Sequence, residues 1–215
     1  MRFSTIIFDL DGTLLETGRG VWNGFNFALE KLGVSLPLDF DRNRIIGPPL
    51  RYGFRDLAGV DLNDVETAVR LYREYYSTKG LHEAEPYPGT MELLSELNKK
   101  GATVCLATSK YGVLAQKQLE IFGLASFFKY TAMSKESEVT TTKSEMVADL
   151  LASSKTPARD AVMIGDTKYD VMGAVKNEVP FIGVLYGYGS REEMEEAGAR
   201  AFVPGVHALM EMLLG

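Results

Sequence analysis

From residue 84 onward, short apolar runs alternate with amphipathic stretches. Residues 103–107, 128–132, 161–164, 181–184 and 201–203 carry the compact apolar runs of buried strands. Between them, apolar positions recur at helical spacing over 91–99, 113–121, 144–152, 169–176, 192–197 and 206–213. The opening run, 3–8, has the same character as the later strands and reads as a strand covered on both faces. Strand–helix alternation of this kind predicts an α/β fold, a parallel sheet with helices on both sides.

Residues 16–83 break that rhythm. Helical patterns over 21–32, 50–57 and 64–76 follow one another with no convincing strand between them. The loop Ile46-Gly47-Pro48-Pro49 interrupts the segment, and Glu85-Pro86-Tyr87-Pro88-Gly89 closes it with turn residues. The expectation is an all-α insertion over 16–83 in an α/β core made of 1–15 and 84–215. Its aromatics, Trp22, Phe25, Phe27, Tyr72, Tyr75 and Tyr76, are expected to form its own core rather than line a cofactor.

Composition narrows the function. The chain of 215 residues is 46% hydrophobic and 24% charged, with a net charge of −6, which argues against nucleic acid or an anionic membrane as partner. An anionic ligand would have to be drawn by local groups or by a metal. No apolar run approaches a membrane span, and the chain enters a strand at once, so no signal peptide is expected. Cys105 is the single cysteine, which rules out an internal disulfide and fits a reducing, cytoplasmic setting. It lies within an apolar run and reads as a packed core thiol. His82 and His207 are isolated from any metal-ligand spacing.

In open parallel sheets, ligands bind beyond the carboxyl ends of the strands. The first strand ends in Ile6-Ile7-Phe8-Asp9-Leu10-Asp11-Gly12-Thr13-Leu14. Two acids at i and i+2 repel each other, so the ending is either an ordinary Asp-Gly turn or a site built around a cation. Thr108, Ser109 and Lys110 follow the second core strand. Lys143 opens the helix after the third, and Gly165-Asp166-Thr167-Lys168-Tyr169-Asp170 follows the fourth. Taken singly, these could be a helix cap, a solvated charge and a turn. Four complementary polar clusters at four strand ends point instead to phosphoryl transfer. Asp9 could attack phosphorus. A hard divalent cation, Mg²⁺, would bridge Asp9, Asp166 and the phosphate. Thr108, the Ser109 amide and Lys143 could bind the remaining oxygens, and Gly12 would let the backbone approach. Asp11, beside the nucleophile, suits a general acid and base.

IIFDLDGTL, LATSK, Lys143 and IGDTKYD, in that order, resemble the four signatures of the haloacid dehalogenase-like hydrolase superfamily. The helical insertion between the first two, with IGPPL inside it, resembles the phosphoglycolate phosphatase-like branch. The resemblance covers essentially the whole chain. It implies a Rossmann-like core and Mg²⁺ held by Asp9, the backbone carbonyl of Asp11 and Asp166. It further implies that Asp170 supports the metal site and that Thr108 and Lys143 hold the phosphoryl group. Glu16 stands where many members have aspartate, which touches the cap hinge rather than the chemistry. Arg51, after GPPL, is a candidate contact for a substrate carboxylate or second phosphate. The implied partner is a small phosphorylated metabolite, and the chain a monomer or homodimer. A sugar-phosphate mutase, a nucleotidase or a pyrophosphatase would use the same core. A phosphoacceptor signalling domain combines similar groups but needs no helical insertion.

Overall fold

The computed structural model describes residues 2–135 and 141–215. The chain divides into two compact units, Met1–Glu16 with Pro86–Gly215, and Thr17–Glu85. In the first, β1 (Thr5–Phe8), β4 (Thr103–Tyr111), β5 (Tyr130–Ser134), β6 (Ala161–Gly165), β7 (Phe181–Val184) and β8 (Phe202–Val203) join in one sheet of order β5-β4-β1-β6-β7-β8. Every pairing in it is parallel. The helices are α4 (Thr90–Lys99), α5 (Gly112–Ile121), α6 (Lys143–Ser154), α7 (Lys168–Lys176), α8 (Arg191–Glu196) and α9 (Val206–Leu214). The α/β expectation holds.

Alternation along the strands sorts side chains to the two faces. Ile6 and Phe8 join Val104, Leu106, Val162 and Ile164, packing with Leu93, Leu97, Leu119 and Leu209 of α4, α5 and α9. Ile7, Cys105 and Met163 point the other way, with Met146, Val147 and Leu150 of α6 and Ala174 of α7. Both faces are thus buried, which is why these strands lack a polar stripe. Cys105 is fully buried, and burial pushes its thiol up to about 12, as a packed core residue should behave.

The strand order reverses at β1: the chain builds outward through β4 and β5, then crosses back to β6 on the other side. Such a reversal opens a crevice at the carboxyl ends of the strands that flank it. The carboxyl ends of β1, β4 and β6 therefore meet, and these are the ends that carry Asp9, Thr108 and Asp166.

Strand boundaries differ from expectation at β5, which covers Tyr130–Ser134 rather than 128–132, and most at β4. β4 runs past Ala107 to Tyr111, with its register against β5 shifting between Thr108 and Tyr111. Three polar residues erased the apolar signal there, while the ladder continued irregularly. Shifts of this kind re-aim side chains near active sites.

The second unit contains α1 (Gly18–Leu32), α2 (Leu50–Tyr52) and α3 (Val65–Thr78). The single helix expected over 50–57 is α2 followed by a wide π turn, Gly53–Leu57. A further short helical turn, Arg42–Ile45, had no sequence signal. The chain leaves and re-enters the core at β2 (Leu15–Glu16) and β3 (Glu85–Pro86), which pair with each other. The aromatics only partly form a core. Phe25 stacks on Phe54 with ring centroids 4.2 Å apart, and Tyr72 on Tyr76 at 5.3 Å, all four buried. Trp22, Phe27 and Tyr75 are half-buried, with Trp22 stacked on Phe40 and in contact with the guanidinium of Arg42. A unit this small lacks the volume to cover every large ring.

Phe25→Ala should lower stability by about 3–5 kcal/mol through a lost stacking partner and an unfilled cavity, measured by urea unfolding. A change below about 1 kcal/mol would mean that the pair contributes little.

Candidate active site

Asp9 follows β1 directly, and its backbone N–H donates to the Ile164 carbonyl of β6. The last residue of β1 and the first of the site are therefore pinned by the same ladder. Lys143, the first residue of α6, is placed by a capping box in which the Glu145 N–H donates to Thr142 Oγ1 and the Thr142 N–H donates to Glu145 Oε2. Its Nζ donates to Asp9 Oδ1 at 2.7 Å and to the Ala107 carbonyl at 2.9 Å, and pairs with Asp170 Oδ1 at 2.8 Å. One buried ammonium thus joins the ends of β1 and β4 to α7.

Asp166 and Asp170 are fully buried. Asp170 lies in the first turn of α7, where Oδ2 accepts from Thr167 Oγ1 at 2.8 Å and from the Thr167 N–H at 3.1 Å. Asp166 Oδ1 accepts from Thr13 Oγ1 at 3.0 Å, and its Oδ2 from the Tyr188 N–H at 2.8 Å. Tyr186 reaches back to donate to the Thr13 carbonyl at 2.9 Å, and the Tyr188 hydroxyl donates to Glu16 Oε1 at 3.0 Å. The loop after β7 therefore wraps the Asp166 carboxylate. It can do so because Gly187 has no Cβ, which would collide with the Asp166 side chain and the Gly12 carbonyl.

Burial pushes the Asp9 carboxyl up to about 7 against the pull of Lys143, with Asp170 and Asp11 adding to the rise. Burial, then Asp170 and Asp9, hold Asp166 well above the usual carboxylate range. Asp9, Asp166 and Asp170 each offer an oxygen within 4.8 Å of the others. Three crowded carboxylates, all oxygen donors, suit a hard divalent cation, whose charge would draw the Asp9 and Asp166 carboxyls back down. The residues present fit Mg²⁺.

The sequence-predicted residues separate into two groups. Asp9, Asp166, Asp170 and Lys143 converge as described. Asp11 is not in the acid cluster: its Oδ1 accepts from Lys110 Nζ at 2.8 Å. Thr108 is buried, and its hydroxyl accepts from the Lys110 N–H at 3.2 Å; Ser109 follows it, half-buried. Gly12 adopts φ of +81°, and a Cβ there would strike Asp166 Oδ2 and the Tyr188 ring. The glycine is thus required by its protein neighbours as it stands. Arg51 belongs to the other unit, where it forms a two-pronged ion pair with Glu66 at 2.6 and 2.9 Å.

Sequence reading missed the Tyr186–Gly189 loop and the engagement of Lys110 with Asp11. The loop had a signal: it follows a strand end, β7, just as the other clusters do. The Lys110 pairing had none, because its partner lies 99 residues away in sequence.

A haloacid dehalogenase-like hydrolase model matches residues 6–184. The chain is 36% identical over 213 residues to a 5'-nucleotidase of Pseudomonas aeruginosa, covering 99% of this chain and 96% of that protein. It is 31% identical to a phosphoglycolate phosphatase of Caulobacter vibrioides, covering 91% and 84%. A crystal structure of a predicted phosphatase from Clostridium acetobutylicum superposes with a TM-score of 0.89 at 35% identity, covering 100% of this chain and 99% of that one. With the sheet order, the helical cap and the buried acids already described, the chain belongs to the haloacid dehalogenase-like hydrolase family.

Proposed function

We propose that this hydrolase cleaves phosphomonoesters of small metabolites, with Asp9 as the nucleophile and Mg²⁺ as cofactor. The observation that carries the reading is the environment of Asp9: one oxygen is held by Lys143 at 2.7 Å, beside the acid cluster with Asp166 and Asp170. Such a carboxylate is oriented and shielded from water, as a covalent nucleophile must be.

In this reading the Asp9 carboxylate attacks phosphorus, and the bond from phosphorus to the leaving-group oxygen breaks. Asp11 gives that oxygen a proton. Asp11 then takes a proton from the water that attacks the aspartyl-phosphate, releasing phosphate and restoring Asp9. Lys143 and Thr108 bind phosphoryl oxygens, with the Ser109 amide as a further donor. Asp9, Asp166, Asp170 and the Asp11 backbone carbonyl are the groups that would hold Mg²⁺, which when bound would neutralise charge on the transferring group. The cap, residues 16–83, selects the substrate.

For substrate, a phosphoglycolate-like small phosphoester is the first reading, supported by the named Caulobacter relative and by the helical cap. A 5'-nucleotide is the second, supported by the greater identity to the Pseudomonas relative over nearly the full chain. A panel of both classes with Mg²⁺, reading released phosphate, separates them.

Asp9→Asn should abolish turnover on every member of that panel, on the order of 10³-fold or more, while circular dichroism stays unchanged. Activity retained within about tenfold would remove Asp9 from its role. Chelation with EDTA should stop turnover, and added Mg²⁺ should restore it; full activity after exhaustive chelation would sink the metal assignment. Gly187→Ala should displace Asp166 and weaken Mg²⁺ binding by about tenfold or more, read by calorimetry. Unchanged affinity would mean that the loop yields instead of the carboxylate.

A further inference from the structure

The site contains a second lysine whose side chain is largely covered, although the residue as a whole is half-buried. The Lys110 side chain is 8% exposed, close to the 6% of Lys143, and its Nζ lies 2.8 Å from Asp11 Oδ1. The Asp11 side chain is 22% exposed, twice the value for Asp9. Each of the two acids of the first strand end is therefore matched by its own ammonium, Lys143 on Asp9 and Lys110 on Asp11. Lys143 also spans to Asp170 and the Ala107 carbonyl, whereas Lys110 approaches from the irregular end of β4, where its own N–H is fixed on Thr108 Oγ1. The register shift between Thr108 and Tyr111 is what brings a residue of this strand to the outer acid.

We infer that Lys110 is a positioning residue for Asp11: by holding Oδ1, it sets the carboxyl plane so that Oδ2 performs the proton transfer to the leaving-group oxygen. The inference rests on the phosphatase reading above. In the first step the phosphorus–oxygen bond breaks and the proton on Asp11 moves to the departing oxygen. The new carboxylate then remains beside the Lys110 ammonium. Without Lys110, Asp11 keeps its chemistry but loses its aim, and misplacement by a fraction of an ångström is costly in proton transfer. Loss of such a residue should therefore harm substrates in proportion to how much their leaving group needs a proton.

The test compares p-nitrophenyl phosphate, whose leaving group departs with little protonation, with β-glycerophosphate, whose alkoxide needs it. Lys110→Met should lower kcat/KM on β-glycerophosphate at least about tenfold more than on p-nitrophenyl phosphate. Lys110→Arg, which keeps the cation, should recover part of that difference. In an Asp11→Asn background, Lys110→Met should add no further loss on β-glycerophosphate, since a positioning residue has nothing left to position. Equal losses on the two esters, or additive losses in the double variant, would overturn the assignment and leave Lys110 as a general contributor of charge. A wild type inert toward both esters would overturn the phosphatase reading and this inference with it. An active wild type with equal losses overturns this inference alone.

Discussion

The ammonium of Lys143 is the group on which the rest of the site depends. Four acids, Asp9, Asp11, Asp166 and Asp170, gather at the ends of two adjacent strands, and three of them are buried. Stripping such charges of water costs several kcal/mol each unless partners compensate. Lys143 touches two of them and a strand carbonyl at once, so it ties β1, β4 and α7 together through one charge. Its pKa is driven upward by those same acids despite the opposing effect of burial. Cutting such a centre down to a neutral side chain would leave at least one buried carboxylate unpaired, a loss of about 3–5 kcal/mol in comparable sites.

Asp166 and the second oxygen of Asp170 are held by hydrogen bonds. Thr13 and Tyr188 each take one oxygen of Asp166, and Thr167 takes one oxygen of Asp170. These donors come from three separate segments, after β1, after β6 and after β7, and the small size of Gly12 and Gly187 lets them converge. Fixed donors of this kind orient metal-binding carboxylates before any cation arrives. The Tyr188 hydroxyl extends the same network to Glu16, the last core residue before the helical cap begins. The Glu16 carboxylate meets that phenol directly.

The proposed division between chemistry and selectivity parallels the division of the chain into two units. The groups assigned to the reaction all belong to the α/β unit, while Arg51 sits in the helical unit, engaged with Glu66. The similar proteins are named for different substrates, in keeping with one fold hosting several functions.

What the sequence determined by itself was local. Apolar runs bounded by turn residues located every strand of the sheet because burial on both faces removes polar positions, and helical spacing located α4 through α9. The rule that parallel sheets bind ligands past their carboxyl ends picks out Asp9, Thr108, Lys143 and Asp166 from the sequence. The end of β4 was illegible because Thr108, Ser109 and Lys110 remain in the ladder while losing the apolar signal. Half of the cap aromatics were misjudged, since periodicity marks the face of a helix but not how much volume the unit has to cover it. Only the tertiary structure decided which cation serves which acid. Lys143 and Asp9 are 134 residues apart, and Lys110 and Asp11 99. Such pairings are set by the strand order and by a register shift at one strand end. Neither leaves a trace in local sequence, because both arise from how the sheet closes rather than from what any segment prefers.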